Sequence, residues 1–172
     1  MILQTERLLL RPFQEADLDA YADLCADPEV MKYLNATGSP ISRADAWRQM
    51  AMYLGHWELR GYGTWAVVER ATSEFVGRVG LHSPEGWPDR ELGWTIARKS
   101  WGKGYASEAA RASIAHAFGV LGWTHLVSLI HPDNHRSARL AERLGYHVHG
   151  TAEVVGLKLI QYRLDRSPAA RE

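Results

Sequence analysis

The chain has 172 residues, of which 46% are hydrophobic and 23% charged, and its 20 basic side chains balance its 20 acidic ones. This length and composition are typical of one globular domain with a single core. The balanced charge argues against nucleic-acid binding, and the single cysteine excludes a disulfide within the chain. The N-terminus does not resemble a signal peptide, and no apolar segment reaches the ~20 residues of a membrane span. We therefore expect a cytoplasmic protein with no nucleic-acid or membrane partner.

The predicted elements alternate along the chain. Hydrophobic periodicity predicts strands over residues 3–12, 64–70, 75–81, 90–97, 125–131, 146–155 and 157–164. Helices are predicted over residues 15–26, 43–60, 105–121 and 135–144. A hairpin that continues into a strand–helix–strand crossover indicates a mixed sheet, and hence an α/β (α+β) fold class. We expect one domain over residues 1–166 and a disordered tail over residues 167–172.

Tryptophan is unusually frequent, with seven copies. In the second long helix, which Ser42 and Asp45 open with a capping box, large apolar side chains recur at helical spacing. We expect Trp47 and Trp57 of this helix to lie in the core. Trp87 precedes a predicted strand, and its place, in the core or at a binding site, stays open.

A glycine-containing loop joins the strand at 90–97 to the long helix at 105–121. Its sequence is Trp-Gly-Lys-Gly-Tyr-Ala over residues 101–106. Two glycines let the backbone approach a ligand closely, and the N–H groups that open a helix bind anions such as pyrophosphate. Similar loops also occur without a ligand. A P-loop would need Ser or Thr after the lysine, and a Rossmann motif would follow the first strand, so neither nucleotide-binding motif fits.

Five short motifs, in this order, resemble those of the GNAT acetyltransferases, and most of all the RimJ/RimL branch, which acetylates ribosomal-protein N-termini. The motifs are TERLLLR at 5–11, ELGWTI at 91–96, WGKGYA at 101–106 continued by Glu108 and Ala109, HPDN at 131–134 with Ser137, and LGY at 144–146. The resemblance implies the GNAT fold, a mixed but mostly antiparallel sheet of about seven strands, splayed at the middle and flanked by about four helices.

The resemblance also implies acetyl-CoA as co-substrate. The pantetheine arm would enter between the strands at 91–97 and 125–131 and pair with the first of them like an extra strand. The residues assigned to pantetheine are Ile96, Ala97, Arg98 and Asn134. The residues assigned to pyrophosphate are Gly102, Lys103, Gly104, Tyr105 and Ala106.

The implied reaction is direct acetyl transfer to a primary amine, which must first lose a proton. Glu91 is the first candidate for the base, with a plain surface charge as its alternative, and Glu153 is a weaker candidate. A backbone N–H near Ile96 would stabilise the oxyanion. Many family members protonate the thiolate with a tyrosine where this chain has Ala141. The branch resemblance offers Ser137 instead, whose alternative is an ordinary first-turn serine.

The acceptor stays open between a protein or peptide N-terminus and a small-molecule amine. Dimers are frequent in the family, so a homodimer is compatible with the resemblance. No zinc motif is complete among the eight histidines, and we expect no metal. A second hypothesis is a non-catalytic acyl-CoA-binding or sensor module, which the absence of the tyrosine favours. A third, a nucleotide-binding protein, would bind nucleoside triphosphate more tightly than CoA.

Overall fold

A computed structural model describes residues 1–167, so the tail predicted from residue 167 lies, apart from Ser167, outside the described residues. Within them, eight strands form one sheet in the order β1-β2-β3-β4-β5-β6-β8-β7. The strands are β1 Leu3–Gln4, β2 Leu8–Arg11, β3 Thr64–Glu69, β4 Phe75–His82, β5 Glu91–Ile96, β6 His125–Ile130, β7 His147–Val154 and β8 Leu157–Asp165. The α-helices are α1 Leu18–Ala26, α2 Pro28–Met31, α3 Arg43–Arg60, α4 Tyr105–Gly119 and α5 His135–Arg143.

The mixed, mostly antiparallel sheet expected from the sequence is confirmed. Only β5 and β6 pair in parallel, because α4 crosses over between them; every other neighbouring pair in residues 1–167 is antiparallel. The sheet has eight strands instead of about seven, since the stretch predicted as one strand at 3–12 is two. Thr5 breaks it: its hydroxyl accepts a hydrogen bond from the N–H of Leu8 at 3.0 Å, which closes a turn between β1 and β2.

The fifth helix, α2, escaped the sequence prediction because four residues show no periodicity. Asp27 caps it by accepting a hydrogen bond from the N–H of Glu29 at 2.9 Å, and Pro28 occupies the first turn, where a missing N–H costs nothing. No helix in the described part of the chain is long and apolar enough to cross a bilayer.

The helices cover the two faces of the sheet. α4 and α5 pack on one face around Trp65, Leu92 and Ala109. α1 and α3 pack on the other face, where Tyr21 and Tyr53 belong to a second apolar cluster.

The prediction that Trp47 lies in the core is wrong. Its exposed fraction is 48%, because α3 turns Met50, Tyr53 and His56 toward the sheet and Trp47 lies off that stripe. Trp57 is partly buried, as expected: its ring packs edge-on against Trp65, and its indole N–H donates to a backbone carbonyl of β3 at 3.0 Å.

Candidate active site

The sheet opens in its middle, between β5 and β6. Only Glu91 and Val127 pair across these two strands, and the N–H of Val127 donates to the carbonyl of Arg90 at 2.9 Å. The next carbonyl on β5, that of Leu92, accepts a hydrogen bond from the hydroxyl of Ser128 at 2.7 Å. Beyond this point the two strands diverge and leave a gap in the sheet.

The edge of β5 presents backbone groups to this gap. The N–H of Ala97 donates to the carbonyl of Val76 on β4 at 2.9 Å, and antiparallel pairing alternates sides from residue to residue. The backbone groups of Trp94 and Ile96 therefore point toward β6. The carbonyl of Ile96 accepts a hydrogen bond from the indole N–H of Trp101 at 2.7 Å. The N–H of Ile96 and both groups of Trp94 are placed to pair with an extended ligand.

Two cavities meet at the gap. The larger, here called the loop cavity, has a volume of about 610 Å³ and reaches the loop at 101–106. The smaller, here called the splay cavity, has a volume of about 210 Å³ and extends over the face of the sheet that α1 and α3 cover. Trp94, Asn134 and Ser137 line both cavities, so the two are continuous there.

The loop cavity ends on the N-terminus of α4. Gly102 and Gly104 both adopt left-handed backbone conformations, with φ of 79° and 82°, which only glycine adopts at little cost. No side chain caps α4, so the N–H groups of its first turn are directed at the cavity, which Ala106 also lines. Arg136, stacked on the ring of Trp101 at 3.9 Å, adds positive charge from α5. These features suit a pyrophosphate.

An ion pair holds this loop against the N-terminal strands. Glu108, in the first turn of α4, accepts hydrogen bonds from the hydroxyl of Thr5 at 2.6 Å and from the backbone N–H of Arg7 at 2.9 Å. The guanidinium of Arg7 binds the same carboxylate and the carbonyl of Lys103 at 2.9 Å. Arg7 thus neutralises an acidic side chain near the anion site. Through these bonds the Thr5-Glu6-Arg7 motif holds in place a loop that lies about a hundred residues later in the chain.

The residues predicted to bind the coenzyme do not all face the loop cavity. Those that line it are Ile96, Gly102, Gly104, Tyr105, Ala106 and Asn134. The N–H of Ala97 is bonded to β4, and Arg98 is directed toward Asp27, 4.0 Å away. The ammonium of Lys103 lies over the ring of Tyr105 at 5.7 Å.

Asn134 and Ser137 form the wall where the cavities join. The side-chain oxygen of Asn134 caps α5 by accepting a hydrogen bond from the N–H of Ser137 at 3.2 Å, which leaves its amide NH₂ as the donor toward a ligand. The hydroxyl of Ser137 accepts a hydrogen bond from the indole N–H of Trp94 at 3.3 Å. Its own proton is therefore available to a group in the cavity.

Glu91 lies in the splay cavity at the start of the gap. One carboxylate oxygen accepts a hydrogen bond from the indole N–H of Trp87 at 2.8 Å, and the other approaches the N–H of Leu129 on β6 at 3.5 Å. Burial raises the pKa of Glu91 to about 7, because the loss of water outweighs the two donors and the positive charge of Arg78, all of which lower it. The carboxylate is poised to accept a proton near neutral pH.

A family model for the acetyltransferase (GNAT) domain matches residues 7–147. The chain belongs to the GNAT acetyltransferases. It is 31% identical to an uncharacterized N-acetyltransferase, p20, of Bacillus licheniformis, over 86% of this chain and 83% of that protein. A crystal structure of an acetyltransferase from Agrobacterium tumefaciens str. C58 superposes with a TM-score of 0.85 at 34% identity, over 96% of this chain and 95% of that one. The ribosomal L7/L12 acetyltransferase RimL, solved with coenzyme A, has the same fold at 18% identity and a TM-score of 0.79, over 96% of this chain and 98% of that one.

The prediction of an N-acetyltransferase is thus confirmed, and acetyl-CoA is the co-substrate that this GNAT fold implies. The residues present fit that molecule: the loop cavity ends on uncapped helix N–H groups with arginine nearby, and the edge of β5 offers backbone partners for an amide-containing arm. No group of three or more His, Cys, Asp or Glu residues that could hold a metal ion occurs in residues 1–167.

Three other positions that could bear on the acid or base line neither cavity. Glu153 is exposed on β7 and is absent from the lining of both cavities, although its neighbour Val154 lines the splay cavity. Ala141, where many family members have a tyrosine, is fully buried in the core. Tyr146 is close in sequence, and burial raises the pKa of its phenol, but it lines neither cavity. The hydroxyl-bearing Ser137, by contrast, lines both cavities where they join.

One residue of the splay cavity that was not predicted from the sequence is His82. His82 lies opposite Glu91 on the neighbouring strand and packs edge-on against Trp87, with ring centroids 4.9 Å apart. Burial lowers the pKa of His82 to about 4, so its ring is neutral at physiological pH. The available signal was weak, because His82 is the last residue of β4 and polar residues are common at strand ends.

Proposed function

We propose that this GNAT enzyme transfers the acetyl group directly from acetyl-CoA to a primary amine bound in the splay cavity, with Glu91 as general base and Ser137 as general acid. The observation that carries the proposal is the position of the Glu91 carboxylate. It lies in the same cavity as Ser137, where the cavity meets the gap in the sheet. The alternative interpretation of Glu91 as a plain surface charge does not agree with the burial of its carboxylate or with the hydrogen bond from Trp87.

The two residues approach the gap from opposite faces of the sheet. Glu91 pairs with His82 and belongs to the face that α1 and α3 cover, whereas Ser137 lies on α5 and contacts Trp94 on the other face. A thioester held in the gap would then have the amine and its base on one side. The proton donor for its sulfur would lie on the other side. This separation suits a transfer in which one bond forms as another breaks.

The proton balance follows from this arrangement. Glu91 accepts one proton from the ammonium group and passes it to solvent, which leaves a free amine. The amine nitrogen bonds to the thioester carbon, and the N–H of Ile96 is placed to stabilise the oxyanion. As the carbon–sulfur bond breaks, the hydroxyl of Ser137 gives its proton to the sulfur and recovers one from solvent. The nitrogen gives its second proton to the Glu91 carboxylate on its own side, which again passes it to solvent. The products are an amide, CoA thiol and one released proton.

Direct transfer also agrees with the state of the only cysteine. Cys25 is buried on α1, and burial raises the pKa of its thiol. A thiol that is neutral and enclosed is a poor nucleophile. It lines neither cavity, so an acetyl-cysteine intermediate has no support.

The RimJ/RimL-like branch, a cytoplasmic location and a homodimer stay predictions. The five sequence motifs support the branch, while the likeness to RimL at 18% identity supports the fold alone. Both acceptor classes, peptide N-termini and small-molecule amines, present a primary amine to the same base. The volume of the splay cavity, about 210 Å³, favours an acceptor whose reacting end is small.

The test is an acceptor screen that follows release of the CoA thiol, with peptides bearing free N-termini and with small amines. On any acceptor that is turned over, Glu91→Gln should lower kcat/KM by about 10²–10⁴. Glu153→Gln, which removes an exposed carboxylate of the same kind, should leave the rate unchanged. Equal rates for the native protein and Glu91→Gln would overturn the assignment of the base.

A further inference from the structure

Arg78 lines the splay cavity without an anionic partner. It lies on β4, and its guanidinium is 5.3 Å from the centre of the Tyr53 ring. Among residues 1–167 its side chain forms no ion pair within 4.0 Å and no hydrogen bond. Arg11 on β2 is also partly buried, and it binds Asp17 with two parallel hydrogen bonds of 2.7 Å each. The contrast shows that this fold supplies a carboxylate to a half-buried arginine elsewhere and does not do so at Arg78.

An unpaired guanidinium in such a position is costly. It stays charged at all physiological pH values, and its five N–H donors lose water when it is buried. A nearby aromatic ring compensates for only part of this cost. The planar fork of arginine matches a carboxylate, which can accept two hydrogen bonds from it at once. The missing partner of Arg78 is therefore expected to arrive with a ligand.

A second unpartnered group lies beside Arg78. Thr95 is directly opposite Arg78 in the sheet and lines the same cavity. Its exposed fraction is 6%, and its hydroxyl has no hydrogen-bond partner in the described part of the chain. Buried hydroxyls are nearly always bonded. A carboxylate on Arg78 would supply an acceptor for this hydroxyl as well.

The strand register places Arg78 and the proposed base at the two ends of one surface. Arg78 pairs with Thr95, and His82 pairs with Glu91, so four residues, about 13 Å of strand, separate the two pairs. Halfway between them Gly80 pairs with a second glycine, Gly93, and both line the cavity. A Cβ at Gly93 would meet nothing closer than the Glu91 carboxylate, at 3.8 Å. The floor is therefore open to a ligand at Gly93, whereas at Gly80 the backbone of Gly63 and Thr64 occupies the place of a Cβ.

We propose that the acceptor is a small amine that carries a carboxylate, of the amino-acid or short-peptide class, with the carboxylate bound by Arg78 and Thr95 and the amine directed at Glu91. The inference rests on the proposed function, because it names the acceptor class of that same site. The volume of about 210 Å³ suits a reacting end of this small size. The carboxylate is the α-carboxylate of an amino acid, the C-terminal carboxylate of a short peptide or an acidic side chain.

The experiment compares acids with their amides. The probes are the twenty L-amino acids, a set of dipeptides, and the matching carboxamides, which keep the amine and lose the negative charge. Aspartate and glutamate α-amides separate a side-chain carboxylate from an α-carboxylate. We measure release of the CoA thiol and, by calorimetry with CoA present, binding of the same probes. The best acids should exceed their amides by about 10- to 100-fold in kcat/KM, since hydrogen bonds to charged groups are worth that factor.

Variants of Arg78 assign the preference to one side chain. Arg78→Gln should remove most of the difference between acid and amide, and Arg78→Lys should keep part of it, since it retains the charge but not the fork. Arg48→Gln, on the exposed surface of α3, is the matched control and should behave like the native protein. Titration with acetyl-CoA shows whether each variant is folded and binds the co-substrate, because Arg78 does not line the loop cavity.

The outcomes separate this inference from the proposed function. If the native protein acetylates none of the probes but binds the acids more tightly than their amides, the catalytic proposal is contradicted and the carboxylate site is supported. Turnover of amides as fast as acids, or an equal loss on both in Arg78→Gln, would overturn the carboxylate site. A native protein that binds acetyl-CoA but neither binds nor acetylates any acid of the set would overturn it too.

Discussion

The indole N–H of Trp87 lies 2.8 Å from a carboxylate oxygen of Glu91, so a loop residue holds the group that we assign as the base. Trp87 is fixed in turn by the ring of His82, which packs edge-on against it. The hydrogen bond lowers the pKa of Glu91 against the larger effect of burial. Trp87 is therefore a positioning residue that tunes the base, and its removal should change the pH at which the enzyme works.

Trp87→Phe should move the rising limb of kcat/KM to higher pH by about one unit. The change removes a hydrogen bond to a charged group, which is worth about 1.5–3 kcal/mol, and part of that is recovered from water. The pKa of the acceptor amine does not change, so the shift belongs to the enzyme. Trp57→Phe, which removes an indole hydrogen bond outside the site, is the control. An unchanged profile would show that Trp87 does not tune Glu91.

Glu91 should also make stability depend on pH. Its pKa rises from about 4.5 in the unfolded chain to about 7 in the folded one, so protonation favours folding. The stabilisation is present below pH 4.5 and is lost as the pH rises to 7. Glu91→Gln, neutral at every pH, should be more stable than the native protein at pH 8 by about 2–3 kcal/mol and by much less at pH 5. Urea unfolding at both pH values measures this, and a difference independent of pH would contradict it.

Gly102→Glu should abolish binding of acetyl-CoA. It places a negative charge at the anion site and strains a left-handed residue. Gly122→Glu is a matched control, because Gly122 has φ of 68°, the same open space around a Cβ, and no contact with either cavity. Calorimetry with acetyl-CoA should show loss of binding in the first variant only. Equal weakening in both would mean that strain, and not the anion site, is responsible.

Ser137→Ala should lower kcat by about tenfold or more and leave the Kd of acetyl-CoA within about twofold, if the hydroxyl acts only as the thiolate is released. Trp94→Phe removes the donor that orients this hydroxyl and should have a smaller effect in the same direction. Ser113→Ala is the control, since Ser113 bonds only within α4. If kcat of Ser137→Ala equals that of the native protein, Ser137 is not the general acid and is only an ordinary serine in the first turn of α5.

The sequence predicted what depends on local pattern. The strand at β5, the glycine loop and the cap at Asn134 all lie where periodicity and turn chemistry place them. The prediction that Trp47 lies in the core was wrong because helical spacing locates the buried stripe of a helix only to within about one residue on either side. In α3 the buried stripe runs through Met50 and Tyr53.

The splay cavity could not be derived in the same way. Arg78 and Thr95 become neighbours only through the register of β4 on β5, and Trp87 reaches Glu91 only because its loop folds back. Such contacts between side chains leave no periodic signal. A charged residue inside a hydrophobic strand, such as Arg78 between Gly77 and Val79, was the available clue that this face carries a function.

The central claim is that Glu91 removes the proton from the acceptor amine. The most direct measurement is the pH dependence of single-turnover release of CoA thiol at saturating acetyl-CoA, in the native protein and in Glu91→Gln. We predict a native rate that rises through a pKa of about 7, and a variant that is slower by about 10²–10⁴ and lacks that limb. A variant that keeps the same limb and the same rate would contradict the account.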